Sequence, residues 1–264
     1  MTGRLRLAVH KFSSCDGCQL ALLNLGEALL GLPRRIEILH FAEAGPLAPE
    51  AEVDLALVEG SLSTPEDLER IRGIRERSAF LVTIGACATS GGLQALRNLL
   101  DDGSWMGAVY ARPDYLQSLS RITAVAEAVH VDLELWGCPV NSRQVLAVLG
   151  DLLRGVTPAQ EQRPLCMECK RLQRVCTLVT RGAPCMGPVT RAGCGALCPH
   201  FGRACYACYG PAEQVNGEAM GRRLQGLGLV PEAVARRFHF IHSGAPAFRE
   251  AGRRFAEDGG EGEP

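Results

Sequence analysis

The sequence has no apolar run of about 18 residues, so no segment of it is long enough to cross a bilayer as a helix. It has no excess of either charge: 28 Lys and Arg against 29 Asp and Glu give a formal net charge of −1. A general nucleic-acid binder needs a basic face, and this balance argues against one. There is no internal repeat and no phosphate-binding G-x-G-x-x-G. The opening MTGRLRLAVHKF runs straight into a strand pattern, without a charged-then-apolar leader. A cytoplasmic site is therefore expected, although a chain exported on a partner's signal would read the same way.

What the chain has is 264 residues, 47% of them hydrophobic, which is room for a main domain and an appendage. It also has twelve cysteines. In a reducing compartment that number favours metal ligation over six disulfides.

Taken in order, Arg4–Val9 alternates polar and apolar residues, and QLALLNLGEALLGL reads as a helix ending at Gly31 and Pro33. Ile36–Phe41 is a second apolar run, and VDLALVEG (53–60) reads as a buried strand. Thr64-Pro65-Glu66-Asp67 is a helix start, with a hydroxyl cap, Pro at the first helical position and acids in the first turn. Phe80–Ile84 is the next strand, followed by GACATSGG and another helix. Arg112-Pro113-Asp114 opens a helical stretch with Leu116, Leu119, Ile122 and Val129 on one face. VDLELWGCPVNS (131–142) gives strand, tight turn and a helix from about Ser142 to Leu153.

Strands alternating with helices predict an α/β fold with a doubly wound parallel sheet. Sites in such sheets form beyond the carboxyl ends of the strands, where the strand order reverses. Cys15 and Cys18 follow the first strand, Cys87 the fourth and Cys138 the fifth. One sheet edge would gather all four, which makes a four-thiolate site.

After Leu153 the pattern changes. RGVTPAQEQRP reads as a linker, which divides the chain into domains 1–155 and 156–264. The segment 166–211 is too rich in Gly, Pro and Cys for ordinary core packing. Eight cysteines fall here, at 166, 169, 176, 185, 194, 198, 205 and 208. Inorganic centres would hold such a segment together. Helical patterns return at Glu218–Leu227 and Pro231–Phe238, and AEDGGEGEP reads as a frayed acidic tail. Four thiolates suit one zinc ion or one cubane cluster. Only Cys15/Cys18, Cys166/Cys169 and Cys205/Cys208 have the C-x2-C knuckle typical of zinc ribbons. The wider remaining intervals favour iron–sulfur centres in series, with structural zinc in an assembly protein as the alternative.

The residues Ser14-Cys15-Asp16-Gly17-Cys18-Gln19, Val58-Glu59-Gly60-Ser61, Ile84-Gly85-Ala86-Cys87-Ala88 and Gly137-Cys138-Pro139 resemble the small, electron-transferring subunit of nickel–iron hydrogenases. The resemblance covers nearly the whole chain. It implies a flavodoxin-like domain with a proximal 4Fe–4S cluster on Cys15, Cys18, Cys87 and Cys138, and an irregular C-terminal domain with two more clusters. By order and spacing the distal cluster falls to Cys166, Cys169, Cys176 and Cys185, and the medial to Cys194, Cys198, Cys205 and Cys208, with an interleaved exchange of ligands as the alternative. Exported members commonly place a histidine where Cys166 stands and lack a thiol at the Cys198 position, so the chain looks like the cytoplasmic branch. The implied partners are a large subunit carrying nickel and iron and a flavin-bearing subunit of the diaphorase or deazaflavin-reducing kind. The homologous subunit of respiratory complex I shares the first domain, but it normally binds one cluster through adjacent cysteines.

Other residues read more plainly. Glu59 at a strand end reads as a solvated loop acid, with a role in proton passage or at the interface as the family-implied alternative. His10 and His200 lie near the cysteine loops, where four thiols already complete each site. Trp136 reads as packing, and Gly17 and Pro139 as turn residues. Between Arg163 and Arg203 six Arg and one Lys face a single acid, Glu168, which makes the stretch either a solvated basic face or one that offsets cluster charge or docks an anionic partner.

Overall fold

The computed structural model describes residues 4–28, 35–45, 47–100 and 105–260. The chain forms two compact units, Met1–Gln160 and Glu161–Pro264.

In the first unit five strands make one sheet: β1 (Leu5–Lys11), β2 (Ile36–Phe41), β3 (Val53–Glu59), β4 (Ser78–Ile84) and β5 (Leu133–Leu135). Their order is β2-β1-β3-β4-β5, and every neighbouring pair is parallel. This is a flavodoxin-like doubly wound sheet, and its order reverses between β1 and β3. Alternation along each strand sends side chains to two separate cores. Leu7, Val9, Leu55, Leu57, Val82 and Ile84 pack with Leu22 of α1 (Gly17–Leu23) and with Val145, Val148 and Leu149 of α6 (Ser142–Leu153). Ala8, Ala56, Val58 and Leu81 pack on the other face with Ile71 and Ile74 of α2 (Pro65–Glu76) and with Val125 of α5 (Val125–Ala128). Burial on both faces explains the near-continuous apolar runs of β3 and β4.

Helix α2 begins as expected. Thr64 Oγ1 accepts from Asp67 N at 3.1 Å, while Asp67 Oδ2 accepts from Thr64 N at 3.1 Å and from Ser63 N at 2.9 Å. Helix α1 spans Gly17–Leu23, and the expected end at Gly31 and Pro33 lies outside the described residues. One expectation fails here. After α4 (Trp105–Val109) the stretch from Pro113 is one short turn, Pro113–Tyr115, and then irregular chain up to α5. Tertiary hydrogen bonds override helical propensity there: Leu119 N donates to Ser63 O, Leu62 and Thr123 pair reciprocally, and Asn98 brackets Ile122.

The second unit starts with short helices α7 (Leu165–Arg171), α8 (Thr177–Thr180) and α9 (Leu197–His200), joined by irregular chain. Three longer helices follow: α10 (Gly217–Gln225), α11 (Pro231–His239) and α12 (Pro246–Gly260). Phe238 of α11 packs against Phe248 and Phe255 of α12, with ring centroids 5.8 and 6.4 Å apart. Gly221 lets α10 approach that cluster, since a Cβ there would fall 2.0 Å from Phe255 Cε2. Helix α12 runs through Ala256–Gly260, in place of the expected frayed tail; Phe248, Ala251 and Phe255 form its buried stripe.

This packing makes two measurable demands. Thr64→Ala should cost about 1 kcal/mol in urea unfolding of the first unit, with an unchanged m-value. His10 is buried on β1 against His40, ring centroids 4.8 Å apart, and burial pushes its pKa down to about 3. The folded state therefore holds it neutral, while the unfolded chain takes up a proton below about pH 6.5. Stability present above about pH 6.5 should fall as the pH drops towards the folded value, by up to about 2 kcal/mol at about pH 5 from this group. Unfolding at both pH values in wild type and His10→Gln, which lacks the titrating group, checks this.

Candidate metal centres

At the carboxyl edge of the sheet, β1 and β3 continue past their ends as a pair. Phe12 N donates to Glu59 O at 2.8 Å, and Ser13 and Ser61 exchange hydrogen bonds of 3.1 and 2.9 Å. This pairing sets the loop Cys15-Asp16-Gly17-Cys18 above the reversal point. Asp16 adopts a left-handed conformation (φ 63°) and is held by Lys11 Nζ at 2.8 Å and Ser14 Oγ at 3.1 Å.

The side chain of Asp16 does not cap α1. Glu59 of β3 does so instead, with Oε1 accepting from Cys18 N at 3.0 Å and Oε2 from Gln19 N at 3.2 Å. Glu59 is 2% exposed, so the expectation of a solvated loop acid is wrong. A strand-end acid looks solvent-facing in sequence, and the two amides that bury it come from another loop. Burial pushes its pKa up, against the opposing effect of those donors.

Cys87 enters on α3 (Gly85–Ser90) and Cys138 in the turn after β5. Ala86 N donates to Gly137 O at 2.7 Å, which ties these two loops together, and Val140 N points at Cys18 Sγ from 3.4 Å. Gln94 bridges Cys87 Sγ (3.4 Å) and Ser13 O (3.0 Å). The four thiols are electrostatic neighbours. Burial pushes Cys87 up to about 12, with Cys138 and Cys15 adding to it; Cys18 is raised by burial, with Glu59, Cys87 and Cys138 contributing. Cys138 is raised by burial and then by Cys15. Glycine makes the approach possible. Gly85 has φ +86°, and a Cβ there would lie 2.3 Å from Cys18 Sγ.

In the second unit Cys166 and Cys169 lie on α7, Cys176 caps α8 and is exposed, and Cys198 lies on α9. Cys205 N donates to Cys185 Sγ at 3.2 Å, and Met186 N returns a bond to Cys205 O at 3.1 Å. Ala207 N points at Cys205 Sγ from 3.3 Å. A Cβ on Gly187 would touch the sulfurs of both Cys166 and Cys185 at 3.5 Å. Cys166 feels Cys185 and Cys176, while Cys194 feels Cys198. Neighbour relations also cross between the two groups of four, from Cys169 to Cys194 and from Cys205 to Cys185. His242 is fully buried, donates from Nε2 to Cys208 O at 2.9 Å, and has its pKa pushed down to about 4 by burial. Of the two histidines noted in the sequence, His10 packs on His40 and His200 on Phe201.

The chemistry of the donor set is consistent across all twelve positions. Every cysteine is a free thiol. Burial raises the pKa of Cys18 and Cys205, so these thiols are poor nucleophiles unless a cation displaces the proton. Among the described residues four non-glycine positions have left-handed backbone: Asp16, Gln173, Ala196 and Ala207. Each lies between two consecutive cysteines of the sequence. Such turns aim successive N–H groups into one concavity, the arrangement that receives anionic clusters and phosphates. The residues present therefore fit thiolate-held, anionic inorganic centres.

Fold and site together define a flavodoxin-like domain that gathers thiolates at its strand-order reversal, joined to a second cysteine-rich unit. A model of the family described as NADH ubiquinone oxidoreductase, 20 Kd subunit, matches residues 15–152. Sulfhydrogenase 2 subunit delta of Pyrococcus furiosus is 36% identical over 233 residues, covering 88% of this chain and 97% of the relative. A subunit of the vhu F420-non-reducing hydrogenase of Methanococcus voltae is 29% identical, covering 81% of this chain and 85% of its own. Among solved structures, one of an NAD+-reducing [NiFe]-hydrogenase in the H2-reduced state superposes with a TM-score of 0.55 at 28% identity, covering 60% of this chain and 95% of its own. The chain belongs to the NADH ubiquinone oxidoreductase 20 Kd subunit family, and these relatives are hydrogenase subunits.

Gly85→Ala should lower metal binding at the four thiols of the sheet edge and leave binding at the eight thiols of the second unit unchanged. Metal content per folded chain checks this, and an unchanged content would refute the close approach of backbone to sulfur.

Proposed function

We propose that this chain is the electron-transfer subunit of a nickel–iron hydrogenase, serving the reversible conversion of H2 to two protons and two electrons. The observation that carries the reading is the meeting of Cys15, Cys18, Cys87 and Cys138, from three separate loops, at the reversal point of the sheet. These four would hold a proximal 4Fe–4S cluster. Cys194, Cys198, Cys205 and Cys208 would hold a medial one, and Cys166, Cys169, Cys176 and Cys185 a distal one. The contacts of Cys185 with both Cys166 and Cys205 make it the ligand on which the partition of those two centres turns.

Bound clusters supply reversible one-electron storage, and the chain does the rest. Burial of Cys18, Cys185 and Cys205 keeps water from the sulfurs. The amides of Val140, Cys205 and Ala207 aim at sulfur and favour the more reduced state. Among the described residues no three His, Cys, Asp or Glu side chains come close enough to hold a single ion.

The nickel and iron that act on hydrogen would reside on a large subunit, and a flavin-bearing subunit, diaphorase-type or deazaflavin-reducing, would take the electrons. No described helix is long and apolar enough to cross a membrane, and we place the complex in the cytoplasm.

Anaerobically purified chain should carry about twelve iron and twelve acid-labile sulfide, from three cubanes. Zinc without visible absorbance would instead identify a structural-metal assembly protein and overturn the proposal.

A further inference from the structure

The single acid between Arg163 and Arg203 is not solvated among the surrounding cations. Glu168 sits on α7 between Cys166 and Cys169, half-buried, and no ion pair forms on it among the described residues. Its Oε2 accepts instead from two backbone amides of the next cysteine loop, Gly193 N at 3.1 Å and Ala196 N at 3.3 Å. That loop carries Cys194 and takes the left-handed turn at Ala196. The amides of Leu197 and Ala196 oppose the rise that burial gives the Cys194 thiol, so Ala196 N–H faces the surroundings of both the thiol and the carboxylate. Glu168 is an electrostatic neighbour of Cys169 on one side and Cys194 on the other.

We infer that Glu168 is a positioning residue shared by the two thiolate groups of this unit, locking the Cys194 loop to α7 and lowering the reduction potential on both sides. The inference rests on the cluster reading above. A centre held through Cys169 or Cys194 would gain one negative charge on reduction, and a carboxylate adjoining those thiols would disfavour that state. By drawing on Ala196 N–H, the carboxylate also weakens a donor that would otherwise stabilise reduced sulfur. Both effects act in the same direction, and both oppose the surrounding arginines. A carboxylate needed only for shape would act through its oxygen alone, so the charge is the discriminating element.

Redox titration of the anaerobic full complex, followed by EPR, separates these roles in Glu168→Gln, which keeps an acceptor oxygen but loses the charge. With iron and sulfide at wild-type content, two of the three clusters should become easier to reduce by about tenfold in the reduced-to-oxidised ratio, about 59 mV for one electron. The cluster at the sheet edge should not move. Glu168→Ala should shift the same two at least as far and, with the loop untied, lose iron more readily to a chelator. Unmoved potentials in a fully loaded Glu168→Gln complex overturn the inference while leaving the electron-transfer assignment intact. Absence of iron and sulfide from the wild-type chain overturns both.

Discussion

The architecture of the first unit depends on the reversal of strand order between β1 and β3. Successive right-handed crossovers put α1 and α6 on one face and α2 on the other. The chain therefore leaves the sheet in opposite directions at its midline, and a crevice opens at the carboxyl edge. Three loops meet there, and the Glu59 carboxylate fixes the first of them by taking two amides of α1. Because that carboxylate belongs to β3, at the centre of the sheet, the Cys15–Cys18 loop inherits the rigidity of the sheet itself. A fixed placement of Cys15 and Cys18 thus arises where the loop turns into the first residues of α1.

The second unit reaches a similar result by other means. Short helices one or two turns long carry or adjoin its first cysteines, and reciprocal backbone bonds hold the chain between them. Leu165 N to Thr190 O, Arg191 N to Gly210 O and Ala212 N to Val189 O stitch the 189–192 segment between its neighbours. Left-handed residues cost roughly 1–2 kcal/mol each when they carry a Cβ. Gln173, Ala196 and Ala207 all bear that cost within this unit, beside cysteines. Ligand bonds at those cysteines would compensate that cost, as they do in small metal domains.

Much of the first unit is legible in sequence because local and global signals agree there. The Thr64-to-Asp67 cap forms as written, and each cysteine loop does follow its strand. The stretch from Leu116 to Thr123 is not legible, because partners far along the chain (Ser63, Leu62 and Asn98) hold it away from a helix. The glycine-rich, acidic end of α12 hides the Phe248–Ala251–Phe255 stripe, so the sequence understates that helix. Glu59 and Glu168 mislead for one shared reason. Local sequence records a carboxylate but not the amides that another segment will bring to it.

Cys205 lies sealed behind Met186 and the Cys185 sulfur, with its thiol raised far above its ordinary range by burial. Burial at this position opposes loss of the thiol proton and leaves the sulfur little open surface. For a metal to reach this sulfur, the backbone pairing of Met186 with Cys205 would have to open first.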